Sequence, residues 1–356
     1  MDRISMIRDF TLAKGPSGFE DEVLEVARRY APEGVEIRED RMRNMYFRFP
    51  ETDADKPVVM LDAHSDEVGF MVQAVRPNGT LKFVPLGGWV NSNIPAHKVW
   101  VRSRSGCWIP GIVAAKPPHF MTAAEKNRMP EIDEMSIDIG AASPEEAVNG
   151  FGVGIGSPVV PDADFTYDEA HDLIFAKAMD NRLGCAMIQA VLHRLQGRTD
   201  LPVRVVGAMA CQEEMGCRGA VVTANTVKPD MAIVFEGSPA DDTVMEPWLS
   251  QTGVHRGPML RHLDARMITH PRFQRLALDL AAERGIPVQE AVRTGGSTNG
   301  SSIHLSGQGV PCIVIGLPVR YIHSAYGIAS LRDFEHAEDL AVAVLESLTP
   351  ERMAGM

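Results

Sequence analysis

Hydrophobic and polar positions follow two different rhythms along this chain. Residues 18 to 31, GFEDEVLEVARRYA, place Phe19, Val23, Leu24, Val26 and Ala27 at near-helical spacing. Acids come early and arginines late in that stretch, the order a helix dipole favours. Short strand-like runs follow: VEIR, NMYFRF and PVVMLDAH. The last is nearly all apolar up to His64, as expected of a strand covered on both faces. From about residue 68 to 160 the helical period vanishes. VGFMVQAVRPNGTLKFVPLGG is two alternating runs joined by Pro77-Asn78-Gly79, a hairpin signal, and HKVWVRSRSGCWIPGIVA repeats the pattern around Ser105-Gly106. No convincing long helix is expected there before about 143–149. Beyond residue 160 helix and strand alternate again. NRLGCAMIQAVLHRL carries one apolar helical face, PVRVVGAMA is a buried strand, and GCRGAVVTAN opens a helix. PDMAIVFEG is a strand, RFQRLALDLAAERG a helix closed by Gly285, VPCIVIGLP a strand, and LRDFEHAEDLAVAVLESL a last helix.

This order predicts an α/β fold with a mostly parallel central sheet flanked by helices. Residues 1–67 and 161–356 would form it, with 68–160 inserted as a small all-β domain. No internal repeat or low-complexity tract interrupts the pattern. The 356 residues are 45% hydrophobic and 23% charged, with a net charge of −12. That balance suits a globular protein and disfavours nucleic acid or an anionic membrane surface as a partner. The five cysteines include no CxxC pair and read as reduced thiols. The N-terminal stretch has no apolar run of signal-peptide length, and no segment approaches the ~20 apolar residues of a membrane span. A cytoplasmic protein is the expectation.

In open α/β sheets, ligands bind beyond the carboxyl ends of the strands. The strand ending at residue 62 delivers His64, Asp66 and Glu67, and the one ending near 211 delivers Gln212, Glu213 and Glu214. The strand ending at 235 delivers Glu236, and the one ending near 317 is followed by His323. Asp180, in FAKAMDNRLG, starts the helix after it. Carboxylates crowded on one edge repel unless something positive sits among them. Imidazoles and carboxylates together suit zinc, cobalt or manganese. Five ligands with one carboxylate shared are the inventory for two ions ~3.5–4 Å apart. Glu213 and Glu214 point different ways on leaving a strand, so one can bind metal while the other faces the attacking water. Asp66 can accept the second N–H of His64 and fix its tautomer.

Five stretches in order, AHSDEVGFMV, AKAMDNRLG, CQEEMGCRGA, VFEGSPADD and VRYIHS, resemble the dinuclear aminopeptidases of metallopeptidase family 42. That family includes the tetrahedral, deblocking and glutamyl aminopeptidases. The likeness runs along nearly the whole chain, and GIVAAKPPHF lies in the matching inserted β domain. It implies a metal-dependent aminopeptidase acting on short peptides. His64, Asp180 and Glu236 would hold one ion, and Asp180, Glu214 and His323 the other. Asp180 would bridge, Glu213 would be the general base and Asp66 the orienting carboxylate. Two divalent ions per subunit are implied, zinc first, with cobalt or manganese as alternatives. The inserted domain would be barrel-like and serve assembly, as dimers building a tetrahedral dodecamer with inward-facing sites. A cis bond at Asp180-Asn181 is a further family feature.

Three positions depart from the family pattern. Glu236 stands where many members have aspartate, Asn299 where aspartate is usual, and Arg256 where lysine is usual. The preferred first residue therefore transfers less safely than the chemistry. Two other readings compete: a related dinuclear hydrolase such as an acylamino-acid deacylase, and a non-catalytic assembly protein on the same fold. His119 is assigned to packing or an interface in the β domain, and Cys211 to a buried small side chain. The remaining histidines, His97, His171, His193, His255, His262, His270, His304 and His336, are read as surface or structural. Gly295 and Gly296 are either an ordinary turn or a backbone-donor loop near the substrate.

Overall fold

The computed structural model describes residues 2–50 and 55–356. The first strands are β1 (Glu36–Glu39), β2 (Met45–Arg48) and β3 (Val58–His64). Six strands follow in the middle of the chain: β4 (Gly69–Val75), β5 (Leu81–Leu86), β6 (Lys98–Arg102), β7 (Trp108–Ala114), β8 (Ser136–Asp138) and β9 (Pro158–Pro161). They close into a barrel in the order β4-β5-β8-β7-β6-β9. Then come β10 (Thr166–Asp168), β11 (Leu173–Ala176), β12 (Arg204–Ala210), β13 (Met231–Pro239), β14 (Met259–Leu263), β15 (Gln289–Val292), β16 (Cys312–Val319) and β17 (Gly327–Ala329).

The main sheet has eight strands in the order β1-β2-β12-β3-β13-β16-β14-β15. Its centre, β12-β3-β13-β16, is parallel throughout. Antiparallel pairing joins β1 to β2, β2 to β12 and β14 to β16. The parallel centre was legible in the apolar runs. The flanks were not, and β14, β15 and the small β10-β11-β17 sheet went unforeseen. A helix over Arg3–Leu12 also went unforeseen; it starts at an Asp2 cap and buries Met6, Ile7 and Phe10. Glu236 lies inside β13 rather than after it, because the strand continues to Pro239.

Side-chain parity explains what happens at the strand ends. Val59, Leu61 and Ala63 of β3 face one core, together with Met231, Ile233 and Phe235 of β13. The helices Met179–Leu195, Pro271–Arg284 and Leu331–Ser347 cover that face. Met60, Ala232 and Val234 face the opposite core, under the helix Arg218–Val227. β13 pairs with β3 in parallel, Val234 beside Asp62. Two residues further, His64 and Glu236 therefore point to the same side of adjacent strands. The chain passes from β12 across β3 to β13, and ligand crevices form where the order of a parallel sheet reverses in this way. The barrel holds a core of its own, with Phe70, Val72, Phe83, Val101 and Ile137 among its buried residues.

Candidate active site

Asp180 sits where the helix Met179–Leu195 begins, and its peptide bond to Asn181 is cis. Its backbone lies directly on β13. A Cβ at Gly237 would fall 2.6 Å from the Asp180 Cα, so glycine is what permits this approach. Asn181 secures the corner: it donates to the Phe235 carbonyl at 2.8 Å and accepts from the Gly237 amide at 3.1 Å. The Asp180 carboxylate then reaches in two directions. Oδ1 lies 3.1 Å from His64 Nε2, and Oδ2 lies 3.4 Å from His323 Nε2. Glu236 Oε1 is 3.6 Å from the same His64 nitrogen, and Glu214 Oε2 is 3.6 Å from the same His323 nitrogen. Ligand atoms held tetrahedrally at about 2.0–2.2 Å from one ion are roughly 3.3–3.6 Å apart. Both sets therefore have the spacing of a coordination shell.

Two carboxylates stand beside these sets. Glu213 Oε2 is 3.9 Å from His64 Nε2, while its Oε1 accepts from the Cys217 thiol at 3.2 Å. Asp66 lies behind His64, with Nδ1 3.1 Å from its backbone carbonyl and 3.3 Å from its carboxylate, whose oxygens accept from the Glu213 and Glu214 amides at 2.8 and 3.1 Å and from the Ser17 hydroxyl at 2.6 Å. One buried residue thus fixes the ring of His64 and the backbone of both glutamates.

The electrostatics follow from this crowding. Burial pushes His64 down, but Asp180, Asp66 and Glu236 outweigh it and hold the imidazole well above its ordinary value. His323 is raised to about 9 against burial, by Asp180 and Glu214. Burial and the neighbouring Asp180 charge raise Glu236 to about 8 and lift Glu214 well above the usual carboxylate range. Burial also raises Glu213. For Asp180 burial works upward too, yet the two imidazoles hold it low. Raised to about 8, Glu236 keeps a proton at neutral pH unless a cation takes its place. The donor set fits divalent ions: imidazole nitrogens and carboxylate oxygens converge in three overlapping groups, His64-Asp180-Glu236, Asp180-Glu214-His323 and His64-Glu213-Glu214, and Glu214 Oε1 is buried with no hydrogen-bond partner. A cavity of about 300 Å³ opens over the set, lined also by Arg261, Arg293 and Gly295-Gly296-Ser297.

Comparison with known proteins decides the family. The model of the M42 glutamyl aminopeptidases matches residues 44–340. The chain belongs to the M42 family. The glutamyl aminopeptidase of Lactococcus lactis subsp. cremoris (strain MG1363) is 31% identical over 356 residues, 99% of each chain. The crystal structure of a TET aminopeptidase from Thaumarchaeota archaeon SCGC AB-539-E09 superposes with a TM-score of 0.93 at 34% identity, covering 99% of both chains. The PhTET1-12s dodecamer superposes at 0.86 with 25% identity, covering 98% of this chain and 100% of that one. The protein is thus a metal-dependent aminopeptidase on the M42 fold, and M42 membership settles the sequence-stretch resemblance.

Other residues of the M42 chain fall differently from their sequence reading. Glu67 is no part of the cluster; it is buried against Lys177 and Arg182, at 2.6 and 3.1 Å. His119 is exposed on a short turn, so of the two roles read for it the packing one falls away. Asn299 is not at the cavity but buried behind it, donating to Asp62 at 2.9 Å. Arg256 is exposed. Cys211 is buried, as expected of a small core side chain. Asn181, Ser17 and Cys217 escaped the sequence reading. An asparagine after an aspartate, a serine in a glycine-rich loop and one thiol among five carry no spacing signal.

Proposed function

We propose that His64, Asp180 and Glu236 hold one divalent ion, Asp180, Glu214 and His323 a second, and that Glu213 is the general base. The observation carrying this reading is that the two oxygens of Asp180 address two different histidines. Bound there, such ions would polarise a scissile carbonyl and make water acidic enough to attack near neutral pH. Glu213 takes the proton of the attacking water and delivers it to the departing amine. Its Oε1 is turned by Cys217, leaving Oε2 toward the cluster. Asp66 keeps His64 in one tautomer and holds the turn carrying both glutamates. The carboxylate wall attracts the free α-amine of a peptide. The cations lining the cavity on the side of the first residue are Arg261 and Arg293, each also paired within the chain, with Asp264 at 3.4 Å and Asp241 at 2.7 Å, and they favour an acidic first residue.

Zinc is the preferred ion for this donor set, with cobalt or manganese as substitutes. The barrel exposes Val90, Ile112, Phe120, Met129 and Ile155, and such apolar groups on one unit favour assembly of copies, as dimers building a tetrahedral dodecamer. A closed shell would limit substrates to short peptides. Five free cysteines, four of them buried, suit a reducing cytoplasm. Among the described residues no helix is long and apolar enough to cross a membrane.

The test is a panel of aminoacyl anilides, free and N-acetylated, on chains loaded with zinc, cobalt or manganese. Free-amine substrates should turn over, and acidic first residues fastest. Arg261→Met should lower kcat/KM for an acidic residue roughly ten- to hundred-fold and leave a neutral one unchanged, since a lost charge-assisted contact costs ~1.5–3 kcal/mol. Equal rates on N-acetylated substrates would refute the role of the amine.

A further inference from the structure

The barrel reaches into the second ion set. β5 ends at Leu86, and the next two residues, Gly87 and Gly88, lie against the ligands. A Cβ at Gly87 would stand 2.9 Å from Glu214 Oε2 and 2.7 Å from Val68 Cγ1. One at Gly88 would stand 3.1 Å from His323 Nδ1. Gly88 also lines the cavity. The turn is anchored inside the barrel. Trp89 stacks on Phe70 at 4.8 Å, and its indole N–H donates to the Gly69 carbonyl at 3.2 Å. His323 itself stands on a tight loop in the left-handed region, φ 55°. Its own segment alone does not fix the ring; the barrel turn meets the nitrogen facing away from Asp180.

We propose that Gly87-Gly88 is a positioning element of the second ion site, setting the His323 ring and the Glu214 carboxylate through backbone packed where no side chain fits. The proposal rests on the reading of those two residues as ligands. It makes the barrel part of the hydrolytic centre, beyond any part it has in assembly. Among the described residues, the ligand contacts of Gly87 and Gly88 fall on Glu214 and His323 and on neither His64 nor Glu236, so the effect is confined to one ion of the two.

The test uses the full chain and Gly88→Ala, whose backbone is not in the left-handed region, so that only the Cβ contact is introduced. Gly87→Ala is the harsher variant, because φ is +82° there. Gly106→Ala is the control: φ is +89°, in another barrel hairpin, with nothing within 4 Å of its Cβ. Cobalt(II) is titrated into the stripped proteins, followed by visible absorption and by metal content after gel filtration. The wild type and Gly106→Ala should take two ions. Gly88→Ala should keep the first and bind the second at least ten-fold more weakly, with an altered spectrum, and Gly87→Ala more so. A folded Gly88→Ala chain that binds both ions as the wild type does overturns the proposal alone. A wild type that takes only one ion overturns the ligand assignment and the proposal with it.

Discussion

His64 and Glu236 come from adjacent parallel strands, and both side chains are nearly inaccessible, 1% and 7% exposed. Glu214 and His323 come from turns, and the His323 side chain is 36% exposed. Asp180 is common to both sets. The first set inherits its geometry from strand register, since two side chains at matching parity on hydrogen-bonded strands have nowhere else to point. The second takes only Asp180 from its packing on the sheet. It depends on a loop held by Ser324, which donates to the Tyr321 and Tyr326 carbonyls, and on the barrel turn above it. A site made by register is rigid because the whole core would have to move. A site made by turns is adjustable and easier to lose.

The strongest way to break this division is through Glu213, which stands beside both sets and is assigned to neither. Glu213→Gln should lower kcat by ~10²–10⁴-fold, the range of a positioned general base, with both ions retained by metal analysis. Loss of an ion in that variant would make Glu213 a ligand, and the two sets would merge into one. Stability separates the sets next. In metal-stripped protein, His64→Ala leaves Asp66, Asp180 and Glu236 buried without their shared cation, and should cost about 3–5 kcal/mol. His323→Ala removes a partner that is itself 36% exposed and lets water reach Asp180 and Glu214, so it should cost less, about 1–3 kcal/mol. Urea unfolding of both variants checks this, and equal costs would show that the second set is as deeply embedded as the first.

Much of the first set was legible because its cause is periodic. The apolar run before His64 and that before Glu236 each announce a two-faced strand, and parity does the rest. The helix over Arg3–Leu12 was hidden because its polar residues are spent on tertiary pairs, Arg3 with the buried Glu338 among them, so no clean apolar stripe remains. β14 and β15 are short, and LRHL and QEAV mix charge with apolar residues. At the site, the residues that the structure brings together were readable, but what holds them was not. Asn181 and Gly237 act through one backbone crossing, and Gly87-Gly88 reads locally as an ordinary turn after a strand. Contacts between segments far apart in the chain leave no mark on either segment alone.

Protons sharpen the comparison further. Glu236 titrates near 8 and His323 near 9, so each set holds a proton at pH 7 that an ion must displace. Binding should release protons at both sites, and affinity should rise up to ten-fold per pH unit per proton between pH 6 and 8. Calorimetry in buffers of different ionisation enthalpy measures the release; none at pH 7 would mean that these groups already stand deprotonated.

The smallest effect expected concerns Cys217, the thiol against Glu213. It donates to Oε1 at 3.2 Å and itself accepts from the Ser301 hydroxyl at 3.6 Å, so a short chain of weak bonds turns the carboxylate toward the first set. A thiol is a poor donor, and its loss leaves Glu213 free to rotate rather than removing it. Cys217→Ala should therefore reduce kcat only a few-fold, with KM and both ions unchanged. Cys217→Ser, which keeps a donor, should restore the rate. If alanine and serine behave alike, packing rather than the hydrogen bond sets the base, and the orientation of Glu213 belongs to the register-built half of the site.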